Sequence, residues 1–220
     1  MINIRYNKTM IKNFDKILQN IKQMNLPQTE FVQFMEKIQD PFIVLIACIL
    51  SLRTNDITTY PATMRMLKLG KTPKDFLTVK LEDLEKAIYP VGFYKNKAKQ
   101  ILDIAYELHH NYRDIVPNEI EELIKFKGVG RKTANLVLAK GYNLPSICVD
   151  VHVHRISNRL GIVCTKEPEE TEFALKDNLP KKYWAEINTL FVTLGQNVCK
   201  PTKPNCNLCR LQKYCKTYKG

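Results

Sequence analysis

The chain has 220 residues, 45% of them hydrophobic and 25% charged, so it can bury a core of ordinary globular size and does not have the composition of a disordered chain. Lysine and arginine number 34 against 22 aspartates and glutamates, which gives a formal net charge of +12 and a pI near 9.3. This balance suits a polyanionic partner, either nucleic acid or an acidic membrane surface, although a basic surface can also be inert.

The first residues, MINIRYNKTMIKNF, contain no long apolar segment. They therefore predict neither a secretory signal nor a membrane-spanning helix. We expect an intracellular, cytoplasmic protein whose thiols are reduced.

Apolar residues recur at helical spacing along nearly the whole chain. In YKNKAKQILDIAYELHHNY, for example, apolar residues lie three and four positions apart from Ala98 to Leu108, with charged residues between them. Prolines, Pro61 among them, punctuate these stretches, and most of the prolines mark helix starts or connections. SICVDV is the one short strand-like run, and it is too isolated to form a sheet. The sequence predicts an all-α protein with further helices at 10–24, 29–39, 42–51, 56–69, 81–89, 119–125, 131–140, 150–160, 168–178 and 183–197.

A glycine-containing turn joins two predicted helices in IEELIKFKGVGRKTANLVLAKG. Gly128 and Gly130 permit positive φ and close approach of the backbone, and the following helix offers N–H groups to an anion. Lys127 and Arg131 add positive charge beside the turn. The hairpin therefore predicts a phosphate-binding site, although glycines also commonly just end one helix and permit the next.

Lys132 follows this turn directly. A lysine in a basic protein is usually a solvated charge. Crowded by Lys127 and Arg131 and partly desolvated, however, its amine could have a lowered pKa and act as a neutral nucleophile. An amine of this kind can attack sugar C1′ and form a Schiff base.

Asp150 opens the segment VDVHVHRISNRLG. Its position before a predicted helix indicates an N-cap. The same carboxylate could also accept a proton or stabilise positive charge. His152 and His154 are two residues apart and face different sides of a helix, so we expect them to pack or form hydrogen bonds.

Four of the seven cysteines lie in CKPTKPNCNLCRLQKYC, at spacings of six, two and five intervening residues. Neighbouring lysines and arginines would stabilise an anionic thiolate site, so the pattern predicts a metal centre. A 4Fe-4S cluster fits this spacing better than zinc, whose structural sites usually have two short Cys-x2-4-Cys pairs. Zinc and oxidised cysteine pairs remain alternatives on spacing alone. The four residues are Cys199, Cys206, Cys209 and Cys215.

Three motifs, FKGVGRKTAN, VDVHVHR and the cysteine pattern, occur in an order and spacing that resemble the endonuclease III family of helix-hairpin-helix DNA glycosylases. The resemblance extends from PFIVLIACILSLRTND at 41–56, through IYPVGFYKNKAKQI at 88–101, to Cys215. It implies a two-lobed all-α fold with DNA in the groove between the lobes. A six-helix barrel ending with the hairpin would span 34–144. A discontinuous domain of 1–33 and 145–220 would carry the 4Fe-4S cluster.

The resemblance also implies roles for single residues. Lys132 matches the family's Schiff-base lysine and Asp150 its catalytic aspartate. Phe93 lies where the family inserts an apolar wedge into the opened base stack. Arg53 lies where bacterial relatives usually have glutamine and is similar to archaeal members, and Lys127 replaces a common proline. These departures concern base preference and strand contacts, not the chemistry.

The implied function is a bifunctional DNA glycosylase and abasic-site lyase of base excision repair. It would remove oxidised pyrimidines and nick the strand by β-elimination. We expect a monomer that acts on damaged or abasic double-stranded DNA of the chromosome, with no membrane partner. The alternatives are a mismatch-specific glycosylase of the same superfamily and a non-catalytic zinc-bearing DNA-binding module. DNA contacts are expected from Arg53, Phe93, Lys127, Gly128, Gly130, Arg131, Lys200 and Lys203.

Overall fold

The structure is a computed structural model that describes residues 12–218. In this range the protein is all-α, with twelve α-helices and no β-strand, which confirms the predicted fold class. No helix among these residues is both long and apolar enough to cross a bilayer. In chain order the α-helices are α1 (Phe14–Lys22), α2 (Glu30–Lys37), α3 (Pro41–Ser51), α4 (Asp56–Met66), α5 (Pro73–Phe76), α6 (Leu81–Ile88), α7 (Tyr94–Tyr112), α8 (Ile120–Leu123), α9 (Arg131–Leu136), α10 (Val151–Leu160), α11 (Pro168–Asn178) and α12 (Trp184–Asn197).

The chain forms two compact units. One unit is Thr29–Leu144, and the other combines the described residues before Thr29 with those from Pro145 onward. The expected boundary near residue 34 differs from this division because α2 packs against α4. The Thr29 hydroxyl reinforces that contact, donating a 2.7 Å hydrogen bond to the Asp56 carboxylate.

The unit Thr29–Leu144 is built around α3. Every residue from Phe42 to Leu50 is buried. A helix that is apolar on all sides must pack against other elements on every face. The neighbours of α3 are α4, α7, α9 and the π-helical turn Val137–Gly141 that continues α9. The Asp40 side chain caps the start of α3 by accepting the backbone N–H of Ile43 at 2.9 Å.

Two details of this unit concern the predicted helices, and one of them differs from the prediction. Pro61 lies inside α4, within the helix predicted over 56–69, and is not one of the prolines that mark a helix start or a connection. Pro61 has no N–H to donate to the carbonyl of Ile57, and Ile57 is a strongly exposed residue. The helix predicted over 131–140 is α-helical only to Leu136 and then widens into the π-helical turn.

The second unit has its own apolar core, formed by α1 and α10–α12. Phe14 on α1 is fully buried, and its ring packs edge-on against Tyr183 with centroids 5.0 Å apart. After α12 the chain has short 3-10 turns at Cys206–Leu208 and Gln212–Tyr214, so the cysteine segment has little regular structure of its own.

Candidate functional site

The predicted hairpin lies between α8 and α9. Phe126 and Val129 are buried and anchor the turn to the core of Thr29–Leu144. Lys127, Gly128 and Gly130 are exposed. The turn therefore leaves its glycines and a lysine exposed while its apolar residues hold it in place.

The two glycines differ in conformation. Gly128 has φ +77°, and a Cβ there would lie 2.5 Å from Nε2 of Gln100, which donates a 2.6 Å hydrogen bond to the Lys127 carbonyl. Gly130 has φ −99° and is extended, so the positive φ allowed by the sequence is used only at Gly128. Around the missing Cβ of Gly130 there is open space within 4 Å, apart from its chain neighbours.

Lys132 is the second residue of α9, and its side chain is exposed. The lowered pKa suggested by the sequence for the Lys132 amine stays a prediction. The charge of Lys132 acts on the thiol of Cys48 near the end of α3. Burial raises the pKa of that thiol to about 12, and Lys132 opposes the rise.

Arg53 and Phe93 are brought together although they are 40 positions apart in the chain. The Arg53 guanidinium carbon lies 5.9 Å from the centre of the Phe93 ring. Phe93 is 62% exposed, so its ring lies at the surface beside the Arg53 guanidinium. Both residues have positive φ, 53° for Arg53 and 59° for Phe93.

Lys97 joins the loops that carry these two residues. Its amine donates hydrogen bonds to the carbonyls of Leu50 at 2.8 Å and Leu52 at 2.5 Å, and to the Thr54 hydroxyl at 3.2 Å. The same hydroxyl accepts the backbone N–H of Gly92 at 3.1 Å. One buried amine and one hydroxyl therefore connect the segment after α3 to the segment before α7.

Sequence reasoning did not single out Lys97. Only 5% of it is exposed, and burial lowers its pKa from 10.5 to about 8. A signal was present, because Lys97 precedes Ile101 by four residues and Ile104 by seven, which places it on the apolar face of α7. A lysine on such a face must reach internal oxygen atoms.

Asp150 is the N-cap of α10, in the second unit. Its Oδ1 accepts the backbone N–H groups of His152 at 2.9 Å and Val153 at 2.8 Å, and Oδ2 takes part in neither bond. Nδ1 of His154 lies 2.7 Å from the Thr171 hydroxyl, and Nδ1 of His152 lies 3.0 Å from an Arg155 nitrogen. The expectation that both histidines form hydrogen bonds is confirmed.

The four cysteines of the tail line one cavity of about 80 Å³. Burial raises the pKa of the Cys209 thiol, opposed by the N–H of Leu211, and the other three cysteines add to the rise. Among the described residues, no three His, Cys, Asp or Glu side chains converge closely enough to hold a metal ion between them. The thiols surround the cavity, whose walls include Ile156, Leu160, Leu194, Val198 and Leu211.

Two arginines of α10 bind the segment that begins at Cys199. Arg155 donates to the Cys199 carbonyl through Nε at 3.1 Å and Nη2 at 2.9 Å. Arg159 lies 3.3 Å from the Cys199 sulfur and donates to the Lys200 carbonyl at 2.7 Å. These bonds leave the side chains of Lys200 and Lys203 exposed on the loop.

Comparisons with known proteins agree with these features. Residues 46–181 match the HhH-GPD superfamily, described as base excision DNA repair proteins. Endonuclease III of Thermotoga maritima is 47% identical over 180 residues, which are 82% of this chain and 84% of that protein. Endonuclease III of Rickettsia prowazekii is 36% identical over 87% of this chain and 88% of its own length.

A solved structure described as a non-covalent endonuclease III-DNA complex has the same fold. It matches with a TM-score of 0.82 and 33% identity, covering 96% of each chain. The superfamily match spans more than half of this chain, and the relatives are similar over most of their length. This chain therefore belongs to the endonuclease III family within the HhH-GPD superfamily of base excision DNA repair proteins.

Proposed function

We propose that this chain removes oxidised pyrimidines from double-stranded DNA and then cleaves the strand at the resulting abasic site. The observation that carries the proposal is the exposed amine of Lys132 at the start of α9, directly after the glycine hairpin. Membership of a base excision repair family supports the reaction class. DNA that covers the Lys132 amine would desolvate it and so favour its neutral, nucleophilic form.

The target sugar carbon is inaccessible inside a stacked duplex, so the nucleotide must first be flipped out. Unstacking costs a few kcal/mol, and less at a damaged base. Phe93 and Arg53 would fill the space left behind, because Phe93 presents an exposed ring and Arg53 lies beside it. An inserted apolar side chain of this kind also kinks the duplex.

Lys132 would provide the nucleophile. The lone pair of its amine, which Asp150 helps to activate, would form a bond to C1′ while the glycosidic bond breaks, and the proton that the bonded nitrogen then releases goes to the leaving base. The Asp150 carboxylate also stabilises positive charge on the sugar. Ring opening gives an imine, and loss of the 2′ proton then breaks the C3′–O bond and expels the 3′ phosphate. Water hydrolyses the imine and returns Lys132 to its starting state.

The DNA backbone would be held by the hairpin and by the loop after Cys199. Open space at Gly130 lets a phosphate approach the main chain, and Lys127 and Arg131 supply charge. Lys200 and Lys203 extend the basic contact. These contacts read the backbone and not the bases, which suits an enzyme that meets damage in any sequence.

The tail cysteines would hold a 4Fe-4S cluster. Four thiols around one cavity of about 80 Å³, with the Arg159 guanidinium beside one sulfur, fit a polynuclear anionic cluster. A single zinc ion would need all four sulfurs about 2.3 Å from one point. When bound, the cluster would supply a rigid centre around which the loop carrying Lys200 and Lys203 is shaped.

Borohydride trapping tests the chemistry. Reduction of the imine should leave the protein covalently attached to a duplex that contains an abasic site or an oxidised pyrimidine. Lys132→Ala should abolish this attachment and retain binding to an abasic-site analogue, because only the nucleophile is lost. Covalent product is measured on a denaturing gel and binding by fluorescence anisotropy.

Lys125→Ala is the matched control. Lys125 is an exposed lysine just before the hairpin and pairs with Glu122 at 2.5 Å, so its loss removes the same charge without touching the proposed nucleophile. Trapping should be unchanged in this variant. Undiminished trapping by Lys132→Ala would show that the nucleophile is another group.

A further inference from the structure

We propose that Lys97 is a positioning residue that fixes the Arg53 loop to the Phe93 loop, so that both side chains enter an opened duplex as one unit. The inference rests on the proposed function, because it takes Arg53 and Phe93 to fill the space left by a flipped nucleotide.

The first step is the position of the Lys97 amine at the end of α3. The carbonyls of Leu50 and Leu52 belong to the last turn and the C-cap of this helix, where backbone acceptors lack helical partners. A cation is favourable there because the helix C-terminus carries partial negative charge. Lys97 therefore fixes the direction in which the chain leaves α3 toward Arg53.

The second step is the Thr54 hydroxyl, whose hydrogen-bonding capacity is fully used. It donates to the Leu52 carbonyl at 3.3 Å and accepts from the Lys97 amine at 3.2 Å and from the Gly92 N–H at 3.1 Å. A hydroxyl has one proton and two acceptor positions, and all three are occupied. Thr54 thereby transmits the constraint from Lys97 to the residue before Phe93.

The third step is the backbone of Phe93 itself. The Lys97 N–H donates to the Phe93 carbonyl at 3.0 Å, so the first turn of α7 ties the two residues together. Arg53 and Phe93 both have positive φ, a conformation that bulky residues adopt only when their surroundings impose it. The hydrogen bonds of Lys97 and Thr54 are the local contacts that impose it.

Comparison of duplex and single-stranded substrates tests the inference with Lys97→Met, which keeps an apolar stem and loses the amine. A single strand with an abasic site has no stack to open, so attack by Lys132 there does not need Arg53 and Phe93. We expect the trapping rate on duplex DNA to fall about tenfold or more. The rate on the single strand should stay within about twofold of the unmodified protein.

A second pair of variants keeps the test independent of folding problems at Lys97. Thr54→Val removes the shared hydroxyl and should lower the duplex rate selectively, and Thr54→Ser retains the hydroxyl and should restore it. Lys74→Met, which removes an exposed lysine on α5, should change neither rate. Circular dichroism verifies that each variant keeps its helical content.

The outcomes distinguish a failure of the positioning role of Lys97 from a failure of the proposed lyase function. Equal losses on duplex and single-stranded DNA, or no loss in Lys97→Met and Thr54→Val, would overturn the positioning role. Absence of trapping by the unmodified protein on both substrates would instead contradict the proposed lyase function.

Discussion

Three of the non-glycine residues expected to contact DNA share a left-handed backbone conformation. Arg53, Phe93 and Lys203 have φ values of 53°, 59° and 50°. Such a residue costs on the order of 1–3 kcal/mol and persists only where neighbouring contacts determine it. Strained backbone at exposed side chains is characteristic of functional loops, and here it directs an aromatic ring and two cations outward.

The two hairpin glycines give a prediction at this scale. Gly128→Ala should lower the free energy of unfolding by about 1 kcal/mol or more, because φ is +77° and the new Cβ would displace Gln100. Gly130→Ala should leave stability within about 0.5 kcal/mol and should weaken binding to abasic-site DNA, because its methyl group would occupy the open space next to the main chain. Urea denaturation and fluorescence anisotropy measure the two quantities.

Equal losses of unfolding free energy in the two variants would contradict the conclusion that only Gly128 is needed for the conformation of the turn. Unchanged DNA binding by Gly130→Ala would show that no phosphate approaches the main chain at this position.

At the scale of elements, α10 connects two parts of the proposed mechanism within the second unit. Its first turn is capped by Asp150, and further along it carries Arg155 and Arg159, which bind the segment at Cys199. A ten-residue helix is a stiff rod of about 15 Å. The proposed catalytic carboxylate and the cysteine loop are therefore held by a single element, and a change at one end constrains the other.

The cysteine centre is tested by metal analysis. The purified protein should contain about four iron atoms and matching sulfide per chain, with the visible absorption of an iron-sulfur cluster. Cys206→Ser should lose most of the iron, because Cys206 lines the cavity. Cys164→Ser is the control, since Cys164 is exposed and does not line that cavity. A colourless protein with one zinc per chain would show that the centre is a zinc site.

At the scale of the whole molecule, the formal charge of +12 accounts for how the protein would find and hold DNA. Each lysine or arginine that neutralises a phosphate releases counterions, so affinity falls as salt rises. The basic residues assigned to DNA contacts come from segments far apart in the sequence. Electrostatic attraction of this kind is independent of base sequence and suits an enzyme that must search long stretches of undamaged duplex.

The salt dependence of binding tests which lysines contribute. The double variant Lys200→Ala, Lys203→Ala should reduce the slope of log affinity against log salt by about 2, one for each phosphate contact. Lys22→Ala with Lys182→Ala removes the same charge but from lysines paired with Glu186 and Asp15. This control should leave the slope nearly unchanged. An equal reduction of the slope in both double variants would indicate that DNA binding depends on the net charge of the protein and not on contacts made by Lys200 and Lys203.

The sequence by itself determined the fold class and the family. Helical spacing of apolar residues is a local property, so it predicted all-α structure and most helices to within a few residues. FKGVGRKTAN, VDVHVHR and the cysteine spacing carry their chemistry in short segments, and the resemblance drawn from them is confirmed by the comparisons. The local pattern failed at the π-helical turn, which it predicted as a continuation of the α-helix over 131–140.

Only the tertiary structure revealed Lys97 and the pairing of Arg53 with Phe93. These residues come from segments about 40 positions apart, and no local spacing records which backbone carbonyls a buried amine will meet. The positive φ of Arg53 and Phe93 is likewise a conformation that the residue types themselves disfavour, so their sequence does not predict it. Contacts between distant segments arise only when the chain packs, so these contacts could be identified only from the tertiary structure.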